Sequence, residues 1–177
     1  MIALGEAFPH YPLHEEESVT TAMASAASRS EEVAQRWVTG TLGMTIVLLA
    51  IVGIEAHQIV RHIVQVTPIV AALVAVRRHK PWGLYAALPV HAIWLLLMVF
   101  IWLLVLGIAQ IFVQGNFTPI EVVITVLIGV ASLTGIVTVL RTPSRATVLE
   151  RTGAFLLFGV FQAVCVVLSL QSFIPRF

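Results

Sequence analysis

Long runs of apolar residues dominate this chain and restrict what it can fold into. Five such runs cover residues 37–54, 58–76, 82–113, 120–140 and 148–172. A helix needs about 20 residues to cross the hydrocarbon core of a bilayer. Hydrophobic residues make up 59% of the chain and charged residues 11%, too few to cover a soluble surface. The sequence therefore predicts an all-α, polytopic transmembrane helical bundle.

Capping signals predict where two of the helices begin. Thr118 and Glu121 flank Pro119 in a capping-box pattern, and Thr147 with Glu150 repeats the box before the fifth run. In such a box the two side chains satisfy backbone N–H groups that the start of a helix leaves unpaired. We therefore expect the fourth helix to begin near residue 119 and the fifth near residue 148.

The third run is longer than a bilayer requires, so we expect this helix to tilt or to protrude. Pro81 and Trp82 predict its start, with the indole as an anchor at the membrane surface. Gly115 and Asn116 predict the break that follows it.

Residues 1–36 are polar and lack the apolar core of a secretory signal. An alanine- and serine-rich stretch at residues 22–27 indicates that part of this segment is helical. Ser28 with Glu31 predicts a capping box at the start of a helix that leads into the membrane. The predicted organisation is a partly helical, polar N-terminal extension over residues 1–36, followed by a transmembrane helical bundle over residues 37–177.

Residues 37–76 decide how often the chain crosses the membrane. Two helices with a very short turn near residues 53–57 give five crossings, and one long bent helix gives four. A single helix over this range would be about 60 Å long, roughly twice the hydrocarbon thickness. With five crossings, most basic residues gather on one side, which the positive-inside rule makes cytoplasmic. These residues are Arg29, Arg36, Arg77, Arg78, Lys80, Arg141, Arg145 and Arg151.

The charge asymmetry favours five crossings, with the N-terminus in the cytoplasm and the C-terminus outside. Arg61 and Arg176 are then the basic residues of the outer side. We expect an integral protein of a bacterial inner (plasma) membrane. The lipid bilayer is its first partner, and the short basic segment 77–80 is a topology signal that contacts anionic lipid rather than nucleic acid.

One polar stretch interrupts the apolar sequence. On a continuous helix its polar residues would share roughly half of the circumference. They are Glu55, His57, Gln58, Arg61, His62 and Gln65. In the five-crossing arrangement they lie at the outer mouth of the bundle, where Arg61 could pair with Glu55 or with Glu121. One interpretation is an interfacial hairpin whose polar groups satisfy one another. The other is a ligand-binding site or polar vestibule, because ionisable residues within a membrane usually have a function.

His91 is the second candidate, since its position predicts a place close to the membrane midplane. Pro89 frees the carbonyl of Tyr85, and Pro68 frees that of Val64 at a similar depth. His91 could make one hydrogen bond between helices, or it could bind a ligand beside this irregular backbone.

Haem and a metal ion are the two cofactors that these histidines could bind, and no sequence motif indicates either of them. His62 and His91 are the natural axial pair for haem, but they differ in depth by about 7 Å. Glu55, His57 and His62 offer three metal ligands at a spacing that matches no strong motif. Cys165 is the only cysteine and lies in an apolar run.

Three functions remain open. The first is a non-catalytic accessory or structural subunit of a membrane complex or homo-oligomer, with protein subunits or like copies as partners. It is favoured because the chain carries no recognisable enzymatic motif. The second is a transporter or channel-like protein with an outer polar vestibule. The third is a haem-, quinone- or metal-binding membrane protein that uses His57, His62 and His91.

Overall fold

The computed structural model describes residues 13–108 and 118–171. Within them it contains five helices: α1 Leu13–Glu55, α2 Ile59–Arg77, α3 Gly83–Val105, α4 Pro119–Arg141 and α5 Val148–Ser169. Each helix is long and apolar enough to span a membrane. The predicted transmembrane bundle with five crossings is confirmed, and the alternative of one long helix over residues 37–76 is wrong.

The turn between α1 and α2 is only three residues long and is closed by the backbone itself. His57 adopts the left-handed conformation, with φ of 51°. Its N–H donates to the carbonyl of Ile54 at 3.1 Å, and the N–H of Gln58 donates to that of Gly53 at 2.9 Å. This is the Schellman pattern that ends a helix, with histidine at the position where glycine is most common. The same pattern ends α2, where His79 has φ of 52°.

Every helix contributes to one apolar core. α1 packs against α2 and α4, α2 packs against α3 and α5, and α3 packs against α4 and α5. The centre of the core includes Leu42, Ile69, Val90, Ile128 and Phe158, one residue from each helix. Large apolar side chains also cover the outward faces of the helices, as expected where lipid rather than water is the solvent.

The loops that follow α2 and α4 lie at the same end of the bundle, which we call the basic end. Arg145 in the second of these loops forms an ion pair with Glu31 of α1 at 3.6 Å. His79, in the first loop, donates to the side-chain oxygen of Gln35 of α1 at 2.5 Å. The turn between α1 and α2 lies at the opposite end.

α1 extends well beyond the other helices at the basic end. It has 43 residues and α2 has 19, so α1 is about 35 Å longer. The helix is continuous through residues 28–37, and Ser28 Oγ donates to the carbonyl of Ser25. The predicted capping box at Ser28 is therefore wrong, because serine within a helix can bond its own preceding turn instead of starting a new helix.

The two other capping boxes are confirmed. Thr118 pairs with Glu121 at the start of α4, and Thr147 pairs with Glu150 at the start of α5. α3 begins as expected after Trp82, but it ends at Val105 rather than near residue 113. Gly107, with φ of 80°, takes the left-handed position after the last turn. The break expected at residues 115–116 lies outside the described residues.

Candidate functional site

The polar residues of the 55–65 stretch do not form one site, because the turn at His57 divides them between two helices. Glu55 is the last residue of α1 and is exposed, as is His57 in the turn. Gln58 stands at the start of α2, where its side chain makes no capping bond. Arg61 is buried in α2. His62 and Gln65 have different neighbours, because Gln65 contacts α5 and His62 lies beside α1.

Part of the stretch meets polar residues of α5, and together they form what we call the α2–α5 seam, made of Arg61, Gln65, Gln162 and Ser169. Gln65 Nε2 donates to Ser169 Oγ at 2.7 Å. Gln162 Nε2 donates to the main-chain oxygen of Gln65 at 3.3 Å. Arg61 Nη2 donates to the carbonyl of Gln171 at 3.4 Å. These bonds link α2 to α5 and to the residues that follow it, so Arg61 and Gln65 point into the bundle, where the cost of exposing them to lipid is avoided.

The seam leaves two buried atoms without a partner among the described residues, Arg61 Nε and Gln162 Oε1. The expected ion pair between Arg61 and Glu55 or Glu121 does not form. The ion pairs among the side chains of residues 21–108 and 118–171 are Arg36–Glu32 and Arg145–Glu31. Glu121 is instead engaged by its capping box, where Oε2 accepts from the Thr118 N–H at 2.8 Å.

His91 lies in the middle of the bundle and joins three helices. Its exposed fraction is 1%, and its Nε2 shares a hydrogen bond with Thr41 Oγ1 of α1 at 3.1 Å. The ring also packs against Gly135 of α4, since a Cβ built there would stand 2.4 Å from Nε2. The geometry therefore matches the simpler of the two sequence interpretations, one hydrogen bond between helices.

His62 lies apart from the seam, in an outward groove between α1 and α2. Its Nδ1 donates to the carbonyl of Gln58 at 3.0 Å, and its ring contacts the backbone position of Gly53. In the described part of the chain, no three His, Cys, Asp or Glu side chains are close enough to hold a metal ion. The trio of Glu55, His57 and His62 is thus not brought together.

The partners of these residues were not evident from the sequence. Gln162 and Ser169 are seven residues apart, and Cys165 lies buried between them on the same face of α5. The spacing of these polar residues in an apolar helix was the sequence signal that could have identified them as partners of α2. Thr41 and Thr45, both buried on α1, repeat one helical turn apart and give a similar signal.

A second polar region lies at the basic end, on both sides of the bond between Gln35 and His79. One cleft, of about 400 Å³, contains Glu31 and Arg145. The other, of about 620 Å³, lies between α1 and α2 and contains Arg36 and Arg77. From the sequence, the basic segment 77–80 was predicted to set the topology and to contact anionic lipid. The clefts were not predicted, because the contact of the α2–α3 loop with α1 is a tertiary feature.

Comparisons with known proteins add no function to this geometry: no family model, no curated protein and no solved structure matches the chain.

Proposed function

We propose that this protein is a non-catalytic accessory or structural subunit of a membrane complex, and that it assembles through the outward face of α1. The observation that carries this proposal is a line of exposed residues along that helix. The spacing between its members alternates between three and four residues. The line consists of Met23, Ala26, Ser30, Val33, Trp37, Gly40, Met44, Val47, Ile51 and Ile54.

A mainly apolar line with this spacing is typical of a helix that packs against another helix as a coiled coil. Within the bilayer, lipid can cover Met44, Val47 and Ile51 as well as a protein would. The part of α1 that extends past the basic end has no such cover. Met23 is 69% exposed there, so a partner helix would remove apolar surface from water.

The interior of the bundle supports a structural role. Gln65, Gln162 and His91 each use their polar atoms to join two helices. Thr125 does the same, because its hydroxyl accepts from the indole of Trp102 at 3.1 Å. Polar groups arranged in this way hold helices together in a membrane.

The proposed topology places the basic end in the cytoplasm of a bacterial cell, with the N-terminus inside and the C-terminus outside. Arg77 ends α2 at that end, and Arg78 and Lys80 follow it; Arg141 ends α4, and Arg145 follows it. Short basic loops of this kind remain on the cytoplasmic side of a membrane. The extended part of α1 then lies in the cytoplasm, where it can meet a partner.

Native mass spectrometry and blue-native gels of the protein, extracted in mild detergent, test this proposal. A defined complex is expected, either a homo-oligomer or an assembly with other subunits. Cysteine cross-linking in a Cys165→Ser background locates the contact in a homo-oligomer. Val33→Cys should form a disulfide dimer in membranes, and Ser28→Cys, on a different face of α1, should not. A lone monomer in both assays, without cross-linking, would contradict the proposal.

The buried Arg61 favours a second candidate, a transporter or channel-like protein. A buried guanidinium with no carboxylate partner among the described side chains is costly within a membrane. A passing anion could supply the missing charge. This candidate predicts that Arg61→Ala abolishes anion flux in liposomes while the exposed Arg141→Ala retains it. Equal flux in the two variants, or none in the wild-type protein, would remove the candidate.

A further inference from the structure

Two spaces on the surface of the molecule lie between the outward sides of α1 and α2, one a polar cleft and the other an apolar groove. The polar cleft at the basic end is lined by Arg36 and Thr39 of α1 and by Arg77 of α2. Further into the membrane, an apolar groove of about 340 Å³ is lined by Ile46 of α1 and by Val70 of α2. The cleft is lined mainly by charged and polar residues, and the groove mainly by apolar ones. The positions of these residues on the two helices show that both spaces lie on the same side of the helix pair.

The lining residues occupy one face of each helix. On α1 the positions 32, 36, 39, 46 and 50 follow each other at steps that keep them within roughly 40° of a common direction. On α2, Arg77 points in the same direction as Val70, Val66 and Ile59. The polar cleft and the apolar groove therefore lie on the same side of the α1–α2 pair, at successive levels along the two helices.

Gly43 lies on the groove side of α1 between Thr39 and Ile46, and a Cβ built on it would meet no atom within 4 Å. The absence of a side chain there keeps the groove open along α1. Val70 is about 10 Å from Arg77 along α2, so a hydrocarbon chain anchored at the cleft would reach the near end of the groove within one leaflet of the bilayer. The groove continues from there toward Ile59 at the other end of α2.

The charge of the cleft is suited to an anion. Arg36 and Arg77 face one acidic residue, Glu32, and Arg78 and Lys80 follow directly in the sequence. Arg36 and Glu32 form an ion pair at 2.7 Å, but their side chains are 77% and 56% exposed. Such exposed pairs contribute little, so Arg36 can turn to a phosphate. Arg77 has no ion pair within the described residues.

From this alignment we propose that the outward α1–α2 groove is a binding site for one anionic glycerophospholipid. The phosphate binds to Arg36 and Arg77, with the Nδ1–H of His79 and the amide of Gln35 already paired at the back of the cleft. One acyl chain lies past Gly43 against Ile46, Val66 and Val70. Basic pockets between membrane helices are known to take such headgroups. The site is on a different face of α1 from the proposed assembly surface and does not depend on it.

Native mass spectrometry of the delipidated protein tests the proposal, with phosphatidylglycerol and phosphatidylcholine of identical acyl chains as probes. We expect phosphatidylglycerol to bind at least about tenfold more tightly. The double variant Arg36→Gln/Arg77→Gln should lose this preference, because each arginine near a membrane surface attracts anionic lipid. Arg141→Gln, an exposed arginine in the last turn of α4, is the matched control and should keep the preference. Equal binding of the two lipids to the wild-type protein, or an equal loss in the control, would overturn the proposal.

A second pair of variants tests the hydrocarbon part of the site. Gly43→Leu should reduce phosphatidylglycerol binding about tenfold, because its side chain fills the groove. Gly153→Leu on α5, outside both surfaces of α1 and also free of neighbours within 4 Å, should bind as the wild type does. Thermal unfolding of both variants checks that the bundle is intact. Full phosphatidylglycerol binding by Gly43→Leu would refute the acyl-chain position. Binding of glycerol 3-phosphate as tight as that of the lipid would show an anion site without a lipid groove, and would also overturn the proposal.

Discussion

The imidazole of His91 on α3 occupies the space in which any residue other than glycine at position 135 of α4 would place its Cβ. A Cβ on Gly135 would stand 2.4 Å from both Cδ2 and Nε2 of that ring. The missing side chain at position 135 therefore lets α3 and α4 approach closely, and it leaves room for the His91 ring to form its hydrogen bond with Thr41 of α1.

Gly135→Ala is expected to destabilise the bundle by about 1–3 kcal/mol, because the added methyl group overpacks a buried contact. The midpoint of SDS-induced unfolding in mixed micelles measures this change. Gly153→Ala on α5, where a Cβ meets no atom within 4 Å, is the matched control and should be neutral or slightly stabilising. A double variant with His91→Ala should recover part of the loss, and the absence of any recovery would show that the ring is not the obstacle.

Gly83→Ala tests the packing between α2 and α3. A Cβ on Gly83 would lie 2.8 Å from the main-chain oxygen of Ala75, and a backbone atom cannot move aside as a side chain can. We expect a loss of at least about 2 kcal/mol in the free energy of unfolding. Gly153→Ala serves again as the control because that position is open. Thermal stability equal to that of the control would show that the two helices are further apart than described.

The α2–α5 seam should contribute to stability through its hydrogen bonds. Gln65→Leu removes the donor to Ser169 Oγ, and we expect a cost of about 0.6 kcal/mol, with about 1.7 kcal/mol as the upper end for such bonds in membranes. A double-mutant cycle with Ser169→Ala isolates the pair. Thr67→Val, whose exposed hydroxyl bonds only the carbonyl of Ile63 within α2, is the control for loss of a polar group. A coupling energy near zero would argue against the bond.

The left-handed backbone at His57 predicts an unusual pattern of substitutions. His57→Gly should keep or raise stability, because glycine adopts this conformation without steric cost. His57→Val should lower stability by roughly 1–3 kcal/mol, since a branched side chain disfavours it. Thermal melting of the two variants in detergent gives the comparison. If both variants lost the same stability, the imidazole itself, and not the backbone, would be the important feature.

Cysteine accessibility tests the membrane orientation in intact cells. In a Cys165→Ser background, Ser144→Cys in the loop between α4 and α5 should resist a membrane-impermeant thiol reagent, and His57→Cys should react with it. Both positions lie in connections between helices, so a difference in labelling reports on the side of the membrane. The reverse pattern would invert the proposed topology.

The sequence by itself determined the membrane class and the starts of α4 and α5, and its charge asymmetry favoured five crossings over four. These features depend on local properties, namely hydropathy over about 20 residues and side chains three positions apart. The same locality explains the errors. The capping pattern at Ser28 could not reveal that the surrounding residues continue as a helix, and the long third run concealed the glycine that ends α3.

Only the tertiary structure decided how the polar residues are grouped. On a continuous helix the polar residues from Glu55 to Gln65 would share one face. The turn at His57 breaks the helix, so the residues after it belong to α2 and point in other directions. Arg61 and Gln65 consequently meet α5, while His62 faces the groove beside α1. Such contacts join residues about 100 positions apart, and no local pattern specifies them because they depend on how all five helices pack together.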